Sequence, residues 1–368
     1  MRPNLLVIGP KPPPLHGVSY LTECILKSEY LQARYSIRYI EQAFSSNLSE
    51  MGRLSLSKVS HLVNILFKEL WCLAGGVGAI YLPLGLTALA LIRDVVLVLP
   101  GILFRVPVVV CVGGQGLSRL VSQLPILGRI AAIVLSRSYL IAPSEAVFAE
   151  VRKTLPRAKV VMLPHGIAGI GCVGRKPQPR TKNAFFLSNL LVQKGVLDLV
   201  RAIPLVLDRV PDATFTIAGG PGDTEALEAV KSVCEDYECV TYLGAVYGVD
   251  REPLFADASI FVFPTHREGF GLVVVEAMSA GLPVVGTRVG GLIDLVKHGT
   301  TGLLVPAHDH VALADRIVAL LRDPGRARQM GASGRARFDQ NFTIRTWERG
   351  MDATIVSALR DEAASSFR

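Results

Sequence analysis

The chain has 368 residues, enough for two domains that each bury a core, and its 50% apolar and 19% charged composition is that of a globular protein with greasy stretches. Lys and Arg exceed Asp and Glu by 20 to 8 in residues 1–180, whereas the remainder carries 19 against 23, so the formal net charge of +8 is all in the first half. Few aromatics (7%) and no homeodomain, zinc-finger or RNP-like pattern exclude a nucleic-acid platform. The basic excess is read as attraction to an anionic membrane surface.

In chain order, the start "NLLVIGPKPPPLHGVS" has an apolar run of five residues before prolines, which is not expected to act as a signal peptide. Short β-branched or apolar runs follow at 4–9, 35–40, 79–82, 106–112, 138–142 and 158–163, with helix-length segments between them. That alternation predicts a parallel sheet covered on both faces. "LSKVSHLVNILFKELWCL" places Val59, Leu62, Val63, Leu66, Leu70 and Leu73 at helical spacing, with Ile65, Phe67 and Trp71 widening the apolar face. It fits either a surface-seeking amphipathic helix or a thoroughly buried one. The greasiest stretch, 77–104, is interrupted by Arg93, Asp94, Pro83 and Pro100, and predicts a buried strand followed by a core helix rather than a membrane span.

"GCVGRKPQPRTKN" (171–183) reads as a linker, after which the pattern begins again with strands at 183–188, 213–218, 239–243, 258–264, 282–287 and 301–306. Two Rossmann-like domains are expected, at 1–175 and 182–345, with a final helical segment at 346–368. The six cysteines form no C-x-x-C pair or metal-ligand spacing and read as reduced thiols, implying a cytoplasmic location and no structural zinc.

Doubly wound sheets bind ligands outside the carboxyl ends of their strands, which selects the loops to inspect. Gly17 opens a helix after the first strand, where backbone N–H groups can face an anion. Lys194 and Gly195 precede the first helix of the second domain; the lysine fits either a phosphate counter-charge or a surface residue. "HREGFGLVVVEAMSAGLPVVGTRVGG" (266–291) places Glu268 at a strand's carboxyl end, a helix start near Gly271 or Leu272, and Glu276 in the helix's first turns. Helix N–H groups suit a diphosphate and carboxylates suit sugar or ribose hydroxyls, so the two glutamates would bracket a nucleotide-sugar.

The E-x7-E element "EGFGLVVVE" with "AMSAGLPVVGTRVGGLIDLVKHGTTGLLVP" after it resembles the signature of glycosyltransferase family 4, retaining enzymes of GT-B fold. "GPKPPPLHGVS", "VVMLPHGI" and "KGVLDLVRAI" extend the resemblance over nearly the whole chain. It implies two Rossmann-like domains facing across a cleft, an acceptor-binding N-terminal domain, and a C-terminal domain that binds a UDP- or GDP-sugar. It also implies a final helix that crosses back to the first domain. Glu268 would contact the donor sugar, and the N–H groups of Gly269, Phe270, Gly271 and Leu272 the sugar or diphosphate. Glu276 would hold the ribose, Lys194 the diphosphate, and Gly17 would lie against the phosphates. The catalytic pair would be Glu268 and Lys194. No D-x-D element appears near the cleft strands, so no obligatory metal or other cofactor is expected.

The expected acceptor is lipid-linked or a polysaccharide, at the inner face of the cell membrane. Two positions depart from the family pattern: Asn189 stands where many members have an arginine beside the lysine, and Val112 where many have a histidine. Gln115, His16 or His165 are the candidates to compensate for the latter. A nucleotide-sugar 2-epimerase and a non-catalytic binding or scaffold subunit are the alternative functions.

Overall fold

Among the described residues the β-branched runs form twelve strands, and every pairing among them is parallel. The computed structural model describes residues 2–12, 17–42, 56–170 and 182–366; the 171–181 part of the expected linker, with Cys172, and His16 lie outside these. The chain divides into one unit of Met1–His165 with Ile344–Arg368, and another of Gly166–Thr343.

The first unit runs β1 (Asn4–Gly9), α1 (Gly17–Lys27), α2 (Glu29–Arg34), β2 (Ser36–Glu41), α3 (Leu56–Ala74), β3 (Ala79–Leu84), α4 (Ala88–Leu103), β4 (Val108–Val112), α5 (Leu117–Gln123), α6 (Pro125–Leu135), β5 (Tyr139–Ala142), α7 (Glu145–Thr154) and β6 (Lys159–Met162). Its sheet order is β2-β1-β3-β4-β5-β6. Successive strand residues point to opposite faces. Leu6, Ile8, Ile80, Leu82 and Val110 join one core, and Leu5, Val7, Tyr81, Val109 and Ile141 another. Both faces are therefore covered, and each such aliphatic side chain contributes about 1.5–3 kcal/mol by leaving water.

The last helix, α15 (Ile344–Ser366), is part of this unit. Its Trp347, Met351, Ile355 and Ala358 recur at helical spacing and complete the second core. Asp352 on the same helix accepts from Tyr35 Oη at 2.7 Å and Tyr30 Oη at 3.1 Å, and lies 3.0 Å from Arg34.

The greasy stretch 77–104 becomes β3 and α4, as its interrupting charges indicate. Asp94 is fully buried but satisfied, accepting from Gly85 N at 2.7 Å, Gln42 Nε2 at 2.9 Å and Arg93 Nε at 2.7 Å. Burial pushes its pKa up and Arg93 opposes that shift. Among the described residues no helix is long and apolar enough to cross a membrane.

The second unit runs β7 (Lys182–Leu187), α8 (Val196–Leu207), β8 (Ala213–Ala218), α9 (Thr224–Asp236), β9 (Val240–Tyr242), α10 (Glu252–Asp257), β10 (Ile260–Phe263), α11 (Leu272–Ser279), β11 (Val284–Thr287), α12 (Leu292–Leu295), β12 (Gly302–Val305), α13 (His310–Arg322) and α14 (Pro324–Asn341). Gly166 to Ile170, ahead of the expected linker, go with this unit because Ile167 N donates to Phe342 O at 3.0 Å and Ile170 N to Ser279 Oγ at 3.0 Å. The sheet order β12-β11-β10-β7-β8-β9 changes direction between β7 and β10. The loops leaving those two central strands diverge at a topological switch point, where open α/β sheets bind ligands.

Candidate donor site in the second unit

The segment after β7 turns through a 3-10 turn at Val192–Lys194 into Gly195, whose φ is 75°. A Cβ on Gly195 would lie 1.8 Å from Pro264 O, so only glycine lets this backbone press against the end of β10. The approach is reinforced by His266 N donating to Gln193 O at 2.9 Å and Thr265 Oγ1 to the same oxygen at 3.2 Å. Thr287 Oγ1 in turn donates to Thr265 O, tying in β11.

Lys194 and Glu268 meet as a result. Nζ donates to Oε2 at 2.7 Å, with both side chains largely shielded, and the ammonium also stands 5.7 Å from the Phe263 ring centroid. A lysine and a carboxylate 74 residues apart are thus poised together at the switch point.

α11 begins at Leu272 with Gly271 as its N-cap at φ 103°, within the expected start. Gly271 has no side chain to accept from the helix, so no side-chain cap uses up the first-turn N–H groups. Phe270 is 2% exposed and its ring meets Phe342 edge-on, 6.2 Å between centroids. It anchors the loop by packing, leaving its backbone as the part that could meet a ligand.

Glu276 sits one turn into α11, and its partner is a residue the sequence reading does not single out. Arg251 Nη1, in the turn before α10, lies 2.8 Å from Oε1 and 3.0 Å from Oε2. Burial raises the Glu276 pKa, and the Arg251 charge and hydrogen bond oppose it. No motif marks Arg251; the available signal is that a glutamate facing inward from a helix demands a cation.

Asn189 is exposed at the end of β7 and carries no charge to replace the absent arginine. Gly17 is exposed at the start of α1, in the first unit, whereas the other expected residues all belong to the second.

Of the residues considered in place of a histidine at Val112, His165 is 3% exposed and burial pushes its pKa down to about 3. It is neutral near pH 7. Val112 itself is buried at the end of β4. In the loop beyond it, which holds the half-buried Gln115, Glu150 accepts from Gly116 N at 3.0 Å and Ser118 N at 2.9 Å. A carboxylate of α7 therefore already occupies the N–H groups that open α5.

Residues 181–323 match the family model described as Glycosyl transferases group 1. Over 177 residues the chain is 32% identical to N-acetyl-alpha-D-glucosaminyl L-malate synthase of Bacillus anthracis, covering 48% of this chain and 45% of that protein. Over 156 residues it is 36% identical to a GDP-mannose-dependent alpha-(1-6)-phosphatidylinositol monomannoside mannosyltransferase of Mycobacterium tuberculosis, covering 40% of each. The chain thus spans less than half the length of these curated relatives. Sucrose-phosphate synthase from Thermosynechococcus elongatus superposes with a TM-score of 0.76 at 20% identity, over 98% of this chain and 100% of that one. Anabaena HepE in complex with UDP-glucose superposes at 0.71 and 20% identity, over 96% and 99%.

Proposed function

We propose that this chain, whose residues 181–323 match the Glycosyl transferases group 1 model and whose two Rossmann-like units have the GT-B fold, is a retaining glycosyltransferase. It moves a sugar from a UDP- or GDP-sugar to a lipid-linked or polysaccharide acceptor at a membrane surface. The observation that carries the reading is the Lys194–Glu268 pair at the switch point of the second sheet, beside the N-terminus of α11.

The chemistry follows from these groups. A departing nucleoside diphosphate gains charge as the glycosidic bond stretches. The Lys194 ammonium and the first-turn N–H groups of α11 stabilise that charge more than they stabilise the bound donor. Glu268 accepts from a hydroxyl of the donor sugar and holds the ammonium in place before the donor arrives. Glu276, whose negative charge Arg251 favours against the effect of burial, accepts from the two ribose hydroxyls. Retention would follow from reaction on the leaving-group face, with a diphosphate oxygen taking the acceptor's proton as the new bond forms.

The acceptor side of the proposal is supported by the surface of the first unit. Val59, Val63, Phe67, Leu70 and Trp71 of α3 are exposed, as are Leu103 and Phe104 at the end of α4 and Ile126, Ile130 and Ile133 of α6. α3 packs on α4 and α4 on α6, and Lys68, Arg105, Arg129 and Arg137 are exposed on and beside these helices. Apolar side chains among cations suit an anionic lipid surface.

The test is a panel of UDP- and GDP-sugars, first screened by thermal shift and then incubated with polyprenyl-phosphate-linked acceptors in anionic vesicles. Release of nucleoside diphosphate that needs acceptor, with an anomerically retained product, is expected. Donor conversion without acceptor would indicate an epimerase. Donor binding with no turnover, unchanged by Glu268→Ala, would leave a non-catalytic binding subunit.

A further inference from the structure

Close in sequence to Lys194 and Glu268 stands a second cluster, which the proposed transfer reaction does not use. Asp198 of α8, His266 of the β10–α11 loop and His308 of the β12–α13 loop each present one donor atom, and these atoms all lie within 4.8 Å of one another. His266 Nε2 is 2.8 Å from Asp198 Oδ2, and the two imidazoles face each other with ring centroids 3.7 Å apart. Asp198 is buried, His266 is half-buried and His308 is exposed, so the cluster has a closed floor and an entry from solvent. His308 also holds φ at 63°, in the left-handed region that few non-glycine residues occupy, histidine more often than most.

We propose that Asp198, His266 and His308 form a binding site for a divalent transition metal, with Zn2+ as the best-suited ion. Two neutral imidazole nitrogens and one carboxylate oxygen are ligands of intermediate softness, which favour Zn2+, Co2+ or Ni2+ over Mg2+ or Ca2+. Around a tetrahedral ion with bonds of about 2.0–2.2 Å the donors stand roughly 3.4 Å apart, so the His266–Asp198 pair at 2.8 Å must open slightly while any wider pair, none beyond 4.8 Å, closes, a change the exposed His308 ring can accommodate. Three protein ligands leave a fourth position for water.

The placement gives the ion a structural consequence. Asp198 lies one helical turn beyond Lys194, and His266 two residues before Glu268. A bound ion would clamp the loop carrying Glu268 to the helix that follows Lys194, and both to the start of α13. The site is independent of the transferase reading, because nothing in its ligand set depends on a sugar or a nucleotide.

The experiment uses full-length protein without an affinity tag, stripped with chelator and titrated with Co2+ and then Zn2+. One equivalent of Co2+ should bind with visible d–d absorption, Zn2+ should displace it, and Zn2+ should raise the thermal midpoint. His308→Gly removes a ligand while suiting the φ of 63°, so the loop keeps its course. It should weaken Co2+ binding at least 10-fold and abolish the Zn2+-dependent rise. His266→Gln, tested in parallel, should do the same. Absence of saturable one-equivalent binding in the parent, or unchanged binding in both variants, would overturn the proposal. Sugar transfer is not a readout, so these outcomes stand whether or not the transferase proposal does.

Discussion

Arg251 Nη1 reaches both carboxylate oxygens of Glu276, at 2.8 and 3.0 Å, across 25 residues of sequence. Burial alone would favour a protonated Glu276, and the guanidinium works against it. Arg251→Leu is therefore expected to weaken donor binding through Glu276, by about 10-fold, or about 1.4 kcal/mol. Glu276→Gln should cost a similar factor, and the double variant little more than either single one, because the two act as a unit. The pH dependence has a defined sign. Without Arg251 the carboxyl takes up its proton at higher pH, so donor affinity of Arg251→Leu should fall more steeply than the parent's as pH is lowered from 8 to 6. Calorimetric titration with UDP- and GDP-sugars measures both effects; additive losses with parallel pH profiles would separate the two residues.

In the proposed reaction Lys194 acts on the leaving diphosphate, so its loss should appear mainly in kcat. Lys194→Ala is expected to lower kcat by about 10²–10³, the scale of removing one preorganised donor from a developing anion. Lys194→Arg should recover only part of this, since a planar fork cannot reproduce a point charge held 2.7 Å from Glu268. Steady-state kinetics decide: a raised donor KM with unchanged kcat would make the lysine a ground-state grip only.

Much of this architecture is legible in the sequence because parallel strands buried on both faces must be continuous apolar runs. Strands β3, β4 and β10 are such runs, whereas the edge strands β2, β6 and β9 carry exposed polar residues among their apolar ones, and Gly271 marks the start of α11 through its missing side chain. The relationships across the sheet are less legible. Lys194 and Glu268 can each be picked out, but their pairing depends on strand order placing β7 beside β10. Arg251 belongs to no motif. On α3, spacing groups Val59, Val63 and Leu70 with Leu62, Leu66 and Leu73, yet the first three are exposed while Leu73 is buried and Leu62 and Leu66 pack on the core. Apolar residues run round so much of this helix that periodicity alone cannot say which side meets protein.

Gly195 supplies a test of the backbone contact beneath the site. Alanine there would hold φ at 75° and drive its Cβ to 1.8 Å from Pro264 O. The expected cost is roughly 3 kcal/mol or more, combining left-handed strain with a backbone clash. Gly220→Ala is the control: its Cβ would lie 3.4 Å from Asn189 Oδ1, an ordinary contact. Denaturant unfolding of both variants should show a large loss for the first and under about 1 kcal/mol for the second. Equal, small losses would show that β10 yields readily at Pro264, and would remove the argument that this glycine fixes Lys194 against Glu268.

Glu69 of α3 supplies a pH-dependent stability that has nothing to do with the donor site. It is fully buried, both carboxylate oxygens have no hydrogen-bond partner among the described residues, and burial pushes its pKa up to about 8. A carboxyl raised in the folded state keeps its proton there while the unfolded chain has released it. Between roughly pH 4.5 and 8 the native state therefore binds more protons, and its stability from this group falls as pH rises. His165, held neutral by burial with its pKa near 3, acts in the opposite sense and costs stability as pH falls below about 6.5. Glu69→Met removes the unpartnered carboxyl and keeps an apolar side chain of similar length. It should stabilise the protein by roughly 2–4 kcal/mol at pH 8, with the gain shrinking towards pH 5. Chemical denaturation of parent and variant at the two pH values measures the difference. A gain independent of pH would mean that Glu69 titrates normally in the folded chain, through solvent or a partner that reaches it.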